Sequence, residues 1–344
     1  YYVYNGKYYQ VWGPGKNVNP NPRWEKGKNW NIGLDWTLFK GRLYGSFNYF
    51  SRRQQDLLGD YNVSVPPYLF TSTFVNVGSM HNSGFEFDVT WNAIKSKDFS
   101  YTLNVVGATM NNKFVDFSNS KFVGQDYYDE VSPENPYPFH HLQRIERGRR
   151  IGSFYMLKYA GVDKQGRWVV YDKNNNMVLA DNATDEDQQY VGNGLPRFTG
   201  SMTHTFHYKQ FDASLFFQTA LGFDIFNIHD FYYSTKNFQG NVMDKAYSKN
   251  KLVNQNPIVS DYFLEPGDYL KLSSVNIGYT LNLNKRFIDS VRIYATASNL
   301  FTITKFSGID PSTWELNGLT PGATNSRTYY PNTRQFMLGM QIDF

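Results

Sequence analysis

The 344-residue sequence has no cysteine, which excludes a disulfide framework, a cysteine-bound zinc ion and thiol catalysis. It has no run approaching the roughly 20 apolar residues of a membrane-spanning helix. Neither sign of charge dominates, because 34 basic and 30 acidic residues are spread along the chain without a basic block that would indicate nucleic-acid binding. Residues 1–4 carry neither the basic nor the apolar part of a signal peptide, and we expect the chain to begin in the middle of a longer protein.

Aromatic side chains are abundant in a sequence that is polar on average. There are 28 Phe, 27 Tyr and 7 Trp, or 18% of the chain, yet the mean hydropathy is −0.54. This combination is unusual for a soluble enzyme. It is typical of a membrane β-barrel, whose strands turn one face to lipid and the other to a wet lumen.

Apolar and polar residues alternate with period 2 in nine segments, which is the pattern of a strand with two different faces. In one of them, Phe85, Phe87 and Val89 alternate with Glu86 and Asp88. The segments are 30–38, 43–49, 85–93, 99–105, 198–208, 211–217, 275–281, 291–297 and 336–344. We predict nine strands of about 10–12 residues, which exceed the roughly 5–6 residues of an average strand and suit the roughly 9–11 needed to cross a membrane.

The connections between these segments are alternately short and long. The short ones are 40–41, 95–98, 209–210 and 282–290, and the long ones are 51–83, 111–197, 222–269 and 302–333. Outer-membrane barrels have short turns on the periplasmic side and long loops outside. We therefore predict an all-β fold in which residues 1–344 form part of one transmembrane barrel domain. The four long segments are its extracellular loops, and residues 1–12 are the top of a tenth strand.

The last predicted strand ends on Phe344, at the periplasmic side. An alternating strand that closes on a terminal Phe resembles the signal used by the barrel-assembly machinery. Nine strands is an odd number for a bacterial single-chain barrel, and an incomplete barrel leaves two unpaired edges in lipid. We expect the remaining strands in a missing N-terminal part of the same polypeptide.

Short motifs are distributed between residues 19 and 344 and include Asn-Pro-Asn-Pro-Arg-Trp-Glu at 19–25, Ile-Gly-Ser-Phe-Tyr at 151–155, Pro-Arg-Phe-Thr-Gly at 196–200, Gly-Asp-Tyr-Leu-Lys-Leu at 267–272 and Asn-Leu-Phe at 299–301. Taken together, these motifs resemble SusC-like TonB-dependent outer-membrane transporters. The motifs cover only the C-terminal barrel portion of that family. The resemblance implies a plugged barrel of about 22 strands, of which roughly the first twelve lie outside this sequence together with the plug domain and the TonB box.

The same resemblance implies a function in the outer membrane of a bacterial cell. A SusD-like surface lipoprotein would cap the barrel and capture an oligomeric nutrient, and the plug, coupled to TonB, would open a path. We expect an oligosaccharide as cargo, with an oligopeptide as the alternative, and a dimer of two capped barrels in outer-membrane lipid. No cofactor is expected, and no set of side chains suggests an enzyme. The competing function is a passive porin-like channel, which the very long loops disfavour.

Aromatic side chains beside polar groups in the long loops are the candidate ligand contacts, because aromatic rings stack on sugar C–H faces and carboxylates accept hydroxyl protons. The candidates are Tyr127, Tyr128, Trp168, Asp230, Tyr232, Tyr233, Trp314 and Glu315. The alternative is that these side chains pack the loops together or contact the lipoprotein. The six His residues and the acidic loop residues, such as Asp185 and Asp187, are expected to be ordinary polar groups with no metal site.

Overall fold

The computed structural model describes residues 2–10, 13, 15–117, 126–133, 141–285, 287–314, 318–324, 326–328 and 330–344. Its largest element is an antiparallel sheet in which nine long strands each pair with the next along the chain. We number them β1 (Lys26–Leu38), β2 (Leu43–Gln55), β3 (Ser79–Lys95), β4 (Phe99–Thr109), β5 (Phe198–Tyr208), β6 (Phe211–Leu221), β7 (Tyr269–Lys285), β8 (Ile288–Thr304) and β9 (Gln335–Asp343). All nine predicted strands are confirmed.

The strands are 9 to 17 residues long, and several extend beyond their predicted ends. The pairing of β1 with β2 continues to Lys26 and Gln55, where the residues are polar on both faces. Backbone hydrogen bonds do not require alternating apolar residues, so a polar strand end in solvent cannot be predicted from hydrophobic periodicity. For the same reason the predicted connection at 282–290 is shorter, because β7 continues to Lys285 and β8 begins at Ile288.

The strand register brings the apolar residues together on one face of the sheet. One row of directly opposed residues crosses all nine strands and consists of Leu38, Leu43, Trp91, Leu103, His204, Leu215, Val275, Ala297 and Phe336. His204 is the one polar member of this row, and its Nδ1 lies 2.9 Å from the hydroxyl of Tyr101. The side chain of Ile277, on the same face, is 53% exposed. This apolar face is what a lipid-facing barrel wall requires.

The opposite face of the sheet carries polar side chains that bond to one another between strands. The amide of Asn104 donates to Asp88 Oδ1 at 3.2 Å and to Thr90 Oγ1 at 2.9 Å. Arg292 of β8 donates two hydrogen bonds, of 3.0 and 2.5 Å, to the carboxylate of Asp212 on β6. Cross-strand polar contacts of this kind stabilise a face that lines water rather than lipid.

The connections separate to the two ends of the sheet by length. Short turns at 39–42, 96–98 and 209–210 join the strands at one end, where Lys285 of β7 and Ile288 of β8 also lie opposite each other. At the other end lie four long loops, which we name loop A (56–78), loop B (110–197), loop C (222–268) and loop D (305–334). The alternation expected from the sequence is confirmed, and loops A, C and D are slightly shorter than predicted because the strands beside them are longer.

The long loops contain secondary structure that the sequence analysis did not predict. Loop A forms a hairpin of Leu58–Asn62 and Ser72–Asn76. In loop B, Asn111–Asp116 prolongs β4 along β3, and two small sheets follow, made of Tyr127–Glu130, Gln143–Glu146, Ser153–Met156 and Gln189–Asn193, and of Lys158–Val162, Trp168–Tyr171 and Met177–Leu179. Loop C pairs Asp224–Phe226 with Leu264–Pro266 and contains the short helix α1 (Ile228–Tyr233). Short 3₁₀ turns lie at Ala180–Asn182, Asp185–Asp187, Asp244–Ala246, Asp261–Phe263 and Pro311–Thr313.

Loops B, C and D share the main hydrophobic core among the described residues, and we call these three loops together the loop domain. Its fully buried side chains include Phe154, Trp168, Phe226, Phe231 and Phe263. Ala220, on the polar face of β6, belongs to the same core, and Tyr269 of β7 packs against it. The loop domain therefore rests on the polar face of the sheet, at the ends of the strands.

Residues near the N-terminus do not form the predicted tenth strand of the sheet. Tyr2–Tyr4 instead pairs with Lys7–Tyr9 in a separate two-stranded hairpin, while residues 1 and 12 lie outside the described part of the chain. Asn5 and Gly6 join the two short strands with φ angles of 48° and 70°. Asn-Gly suits such a tight turn because both residues adopt positive φ readily, and the turn folds this segment back on itself. In the described residues, no helix combines the length and apolar character needed to cross a membrane.

Candidate ligand-binding site at the loop domain

Trp168 is a core residue of the loop domain. Its side chain is 0% exposed, and the ring contacts Tyr262 and Phe263 with centroid distances of 5.1 and 6.1 Å. Its indole N–H donates to the carbonyl oxygen of Asn256 at 2.9 Å, so the polar atom is also satisfied within the protein. A buried indole with its hydrogen bond made attaches loop B to loop C, and no ring face is open to a ligand.

Asp230 lies on α1 and is buried inside loop C. Its Oδ2 accepts a hydrogen bond of 2.5 Å from Lys245 Nζ, while its backbone N–H donates to Asn227 Oδ1 at 3.2 Å. Burial raises the pKa of Asp230, and the hydrogen bond from Lys245 partly opposes that increase. The carboxylate therefore holds two segments of loop C together rather than facing solvent.

Two further predicted residues, Tyr232 and Trp314, are also buried. The guanidinium of Arg327 lies 4.7 Å from the ring centroid of Tyr232. The ring of Trp314 meets Phe306 edge to face at 6.0 Å. Together with Trp168 and Asp230, these positions agree with the alternative role in loop packing. Glu315, the eighth candidate, lies outside the described residues.

Tyr127 is the predicted residue most open to solvent, with 48% of its surface exposed. The guanidinium of Arg144 lies between two rings, 3.8 Å from the centroid of Tyr127 and 3.9 Å from that of Tyr155. Asp129 accepts two hydrogen bonds from the same guanidinium, of 2.6 and 2.9 Å. The stacking and the bidentate pair fix the orientation of all four side chains.

The same sheet of loop B continues this face with Tyr190. Its hydroxyl donates to Glu146, and the guanidinium of Arg149 lies 3.8 Å from its ring centroid. We call Tyr127, Arg144, Arg149, Tyr155 and Tyr190 the arginine–tyrosine face. Sequence reasoning identified only Tyr127 of this set. Arg144 and Tyr155 lie in the four-residue segments Gln143–Glu146 and Ser153–Met156, which are too short for a period to be read from the sequence.

Tyr128 and Tyr233 are half-buried and occupy different surroundings. Tyr128 points to the other face of its strand, where its ring lies edge-on to Phe114 and Phe117 at 6.3 and 5.4 Å. Burial, together with the charge of Glu130, raises the pKa of Tyr128 to about 12. The ring of Tyr233 meets Phe238 edge to face at 4.9 Å. Both retain partly accessible surface, so both stay candidates for ligand contact.

Among the residues that the structure describes, no three His, Asp or Glu side chains lie close enough together to bind a metal ion. In the acidic segment at 181–187, Asp187 uses its charge inside loop B, while Asp181 accepts a hydrogen bond from Gln255 of loop C. Asp187 accepts hydrogen bonds from the backbone N–H of Thr184 at 2.8 Å and of Lys173 at 2.9 Å. These bonds lower the pKa of Asp187, because they stabilise its charged form.

Comparisons with known sequences agree with the sheet and the loop domain. Residues 2–300 match the profile of the family described as "TonB dependent receptor-like, beta-barrel". The chain is 29% identical to TonB-dependent receptor P3 of Formosa agariphila over 95% of its own length. It is 28% identical to TonB-dependent receptor SusC of Bacteroides thetaiotaomicron over 100% of its length. These matches cover 35% and 34% of the two relatives, so the chain spans about a third of their length.

Comparison with solved structures also shows similarity to outer-membrane transporters of this kind. The RagAB peptide importer in its closed-closed state superposes with a TM-score of 0.77 and 25% identity, over 95% of this chain and 36% of the neighbour. A second structure, of the RagAB peptide transporter, gives a TM-score of 0.75 over 93% of the chain. The apolar face of the sheet is therefore the lipid-facing wall of a bacterial outer-membrane barrel. The chain belongs to the TonB dependent receptor-like β-barrel family and is a SusC-like portion of such a barrel.

Proposed function

We propose that this chain is the C-terminal part of a TonB-dependent importer that carries an oligomeric nutrient across the outer membrane. The observation that carries the proposal is the loop domain, which has its own hydrophobic core and rests on the polar face of the barrel wall. A passive channel needs only a polar lumen. A folded domain built from three loops over that lumen suits capture of a large ligand before transport.

The orientation and partners follow from the same proposal. Loops A to D lie on the extracellular side, and the short turns together with Phe344 lie at the periplasm, where Phe344 acts as the barrel-assembly signal. A SusD-like lipoprotein caps the loop domain, and the plug that responds to TonB belongs to the rest of the polypeptide, as do the missing strands.

The proposed cargo is an oligosaccharide. The partly accessible Tyr127, Tyr128 and Tyr233 are its proposed contacts in the loop domain, while the buried Trp168, Asp230, Tyr232 and Trp314 hold the loops together. An oligopeptide is the second candidate cargo, because two structures of similar fold are those of the RagAB peptide transporter and the RagAB peptide importer.

Uptake by bacterial cells tests the proposal. We would compare cells with the full-length protein, cells lacking it and cells lacking TonB, supplied with labelled neutral oligosaccharides or with labelled oligopeptides. The expected result is oligosaccharide uptake that disappears in both deletion strains. Uptake that survives without TonB would support a passive channel. Uptake of peptides alone would show that the cargo is an oligopeptide, and the TonB-dependent mechanism would still hold.

A further inference from the structure

A cavity of about 610 Å³ lies on the polar face of the sheet, beneath loop D. It occupies the long-loop ends of β4 to β8, where Ser201, Gln218 and Lys271 stand side by side on paired strands. Ser312 and Asn332 of loop D form its upper edge. Its volume falls in the range of roughly 300–1,000 Å³ that is usual for small-molecule sites.

The charged side chains of this cavity are neutralised by each other. Lys271 is only 4% exposed, and its Nζ donates to Asp310 Oδ2 and to Ser312 Oγ, both at 2.8 Å. Asn332 Nδ2 donates to the same Asp310 Oδ2 at 3.2 Å. A charged ligand group would lose its hydration in this cavity without gaining an opposite charge, because Lys271 and Asp310 already pair with each other. Binding of a charged group is therefore unfavourable.

The remaining polar groups of the lining are amides and hydroxyls, which both donate and accept hydrogen bonds. The hydroxyl of Ser273 donates to Gln218 Oε1 at 2.8 Å, which orients this amide and leaves its NH₂ group for a ligand. The rings of Phe216 and Tyr269 supply apolar surface in the same lining. Neutral hydrogen-bonding groups beside aromatic rings suit a ligand with hydroxyls on its rim and C–H groups on its faces.

The backbone of β8 is strained where it reaches the cavity. Asn299 has a φ of 56°, an unusual conformation for a residue inside a strand. The strain accompanies an irregularity in the pairing of β7 with β8, and Asn299 Nδ2 donates to the carbonyl oxygen of Thr333 at 3.1 Å. This contact holds the end of loop D beside the cavity. The strained position thus fixes the upper edge of the cavity.

We propose that this cavity is a substrate subsite that holds one uncharged, hydroxyl-rich unit, a neutral sugar residue of the transported oligosaccharide. The inference rests on the proposed function and adds to it a position in the lumen, below the loop domain. Gln218, Ser201 and Asn332 bind the hydroxyls, and Lys271 is a positioning residue that holds loop D through Asp310 and Ser312.

The test uses the full-length transporter purified from membranes with its partner lipoprotein. Calorimetric titration would use a panel of neutral oligosaccharides from α-glucan, β-glucan, fructan, xylan and mannan, an acidic oligogalacturonide, and an oligopeptide pool. Gln218→Ala removes an amide from the cavity. Ser214→Ala is the matched control, because Ser214 lies on the same face of β6, four residues nearer the short turns.

We expect at least one neutral oligosaccharide to bind, and we expect Gln218→Ala to weaken it about tenfold, the effect of one lost hydrogen bond of about 1.4 kcal/mol. Ser214→Ala should leave the affinity unchanged. Equal affinity in Gln218→Ala and wild type, binding of the acidic or peptide probes alone, or binding of no probe would each overturn the subsite.

One further outcome separates the subsite from an internal contact of the full-length protein. If Gln218→Ala changes hydrogen exchange in the plug without changing affinity, the cavity holds the plug and the subsite is wrong. The importer is judged separately, by the dependence of wild-type uptake on TonB, so it can stand when the subsite fails.

Discussion

The barrel wall and the loop domain are built from similar residues with opposite consequences. Both are rich in aromatic and aliphatic side chains, yet Ile277 on the wall is largely exposed while Trp168 in the loop domain is completely buried. The wall has lipid as its solvent, so its apolar groups face outward in a regular alternation. The loop domain faces water and must bury its apolar groups against each other. Apolar side chains of the same types therefore form the outer surface of the barrel wall and the buried core of the loop domain.

Among the substitutions that test this difference between the two regions, removal of a core aromatic side chain from the loop domain should cause the largest loss of stability. Trp168→Ala is expected to destabilise loops B and C locally by about 3–5 kcal/mol, the usual cost of deleting a buried Trp. Hydrogen exchange of the full-length protein measures it, as faster exchange in these loops with β1 to β9 unaffected. The exposed Leu252→Ala in loop C is the control. Unchanged protection with weaker ligand binding would instead make Trp168 a binding residue.

A charge on the lipid-facing wall should have the next largest effect. Ile277→Arg, near the middle of β7, is expected to destabilise the barrel by about 2–4 kcal/mol, because the guanidinium would face hydrocarbon. Urea unfolding of the full-length protein in lipid vesicles measures this change. Thr203→Arg, on the polar face, is the comparison and should cost much less. Equal costs for the two variants would show that the two faces have been assigned incorrectly.

The arginine–tyrosine face should respond more weakly, since it is partly exposed. Arg144→Lys keeps the charge and loses the planar stacking and the bidentate pair with Asp129. We expect a loss of about 1–2 kcal/mol in the local stability of this small sheet. Hydrogen exchange at Tyr127–Glu130 reports it, and the exposed Arg147→Lys provides the matched control. No difference between the two variants would mean that the stacking does not stabilise loop B.

The smallest expected effect is a loss of local stability in loop D at acidic pH. Burial tends to raise the pKa of Asp310, but hydrogen bonds from Lys271 and Ser312 outweigh it, and the pKa lies below the usual value. A lowered carboxyl pKa contributes stability that is complete above the ordinary carboxyl pKa and is lost as pH falls through the folded-state value. Amide hydrogen exchange, corrected for intrinsic exchange rates, should therefore show that loop D near Pro311–Thr313 loses protection only in that acidic pH range. Asp310→Asn should abolish this pH dependence, and a variant that kept it would implicate another group.

The nine strands were predictable because each alternates over at least seven positions. Repetition of that length separates a two-faced strand from chance, and the row from Leu38 to Phe336 follows from it. The N-terminal hairpin carried a readable signal in Asn5-Gly6, which the expectation of a tenth strand overrode. The short strands of loop B had no such signal. A strand of three to five residues, such as Met177–Leu179, is too short for its period to be measured.

The candidate site was less predictable than the fold. In the sequence, Trp168 is followed by Val169 and Val170, and Tyr127 follows Asp126, but so short an apolar run does not show that one ring is buried and the other exposed. Trp168 is buried because Asn256 and Phe263, about ninety positions away, close over it. Arg144 was overlooked because its partners Tyr127, Asp129 and Tyr155 meet it only when three strands pair.

By itself, the sequence determined the nine long strands of the barrel wall in this chain, the two faces of that wall and the ends at which short turns and long loops lie. Lipid on one side and water on the other impose a period of two on every strand, and that constraint is local and can be read from the chain. Only the tertiary structure decided which loop residues are core, which are surface, and where the polar cavity beneath loop D forms. Those outcomes depend on contacts between distant segments, for which a single sequence contains no periodic signal.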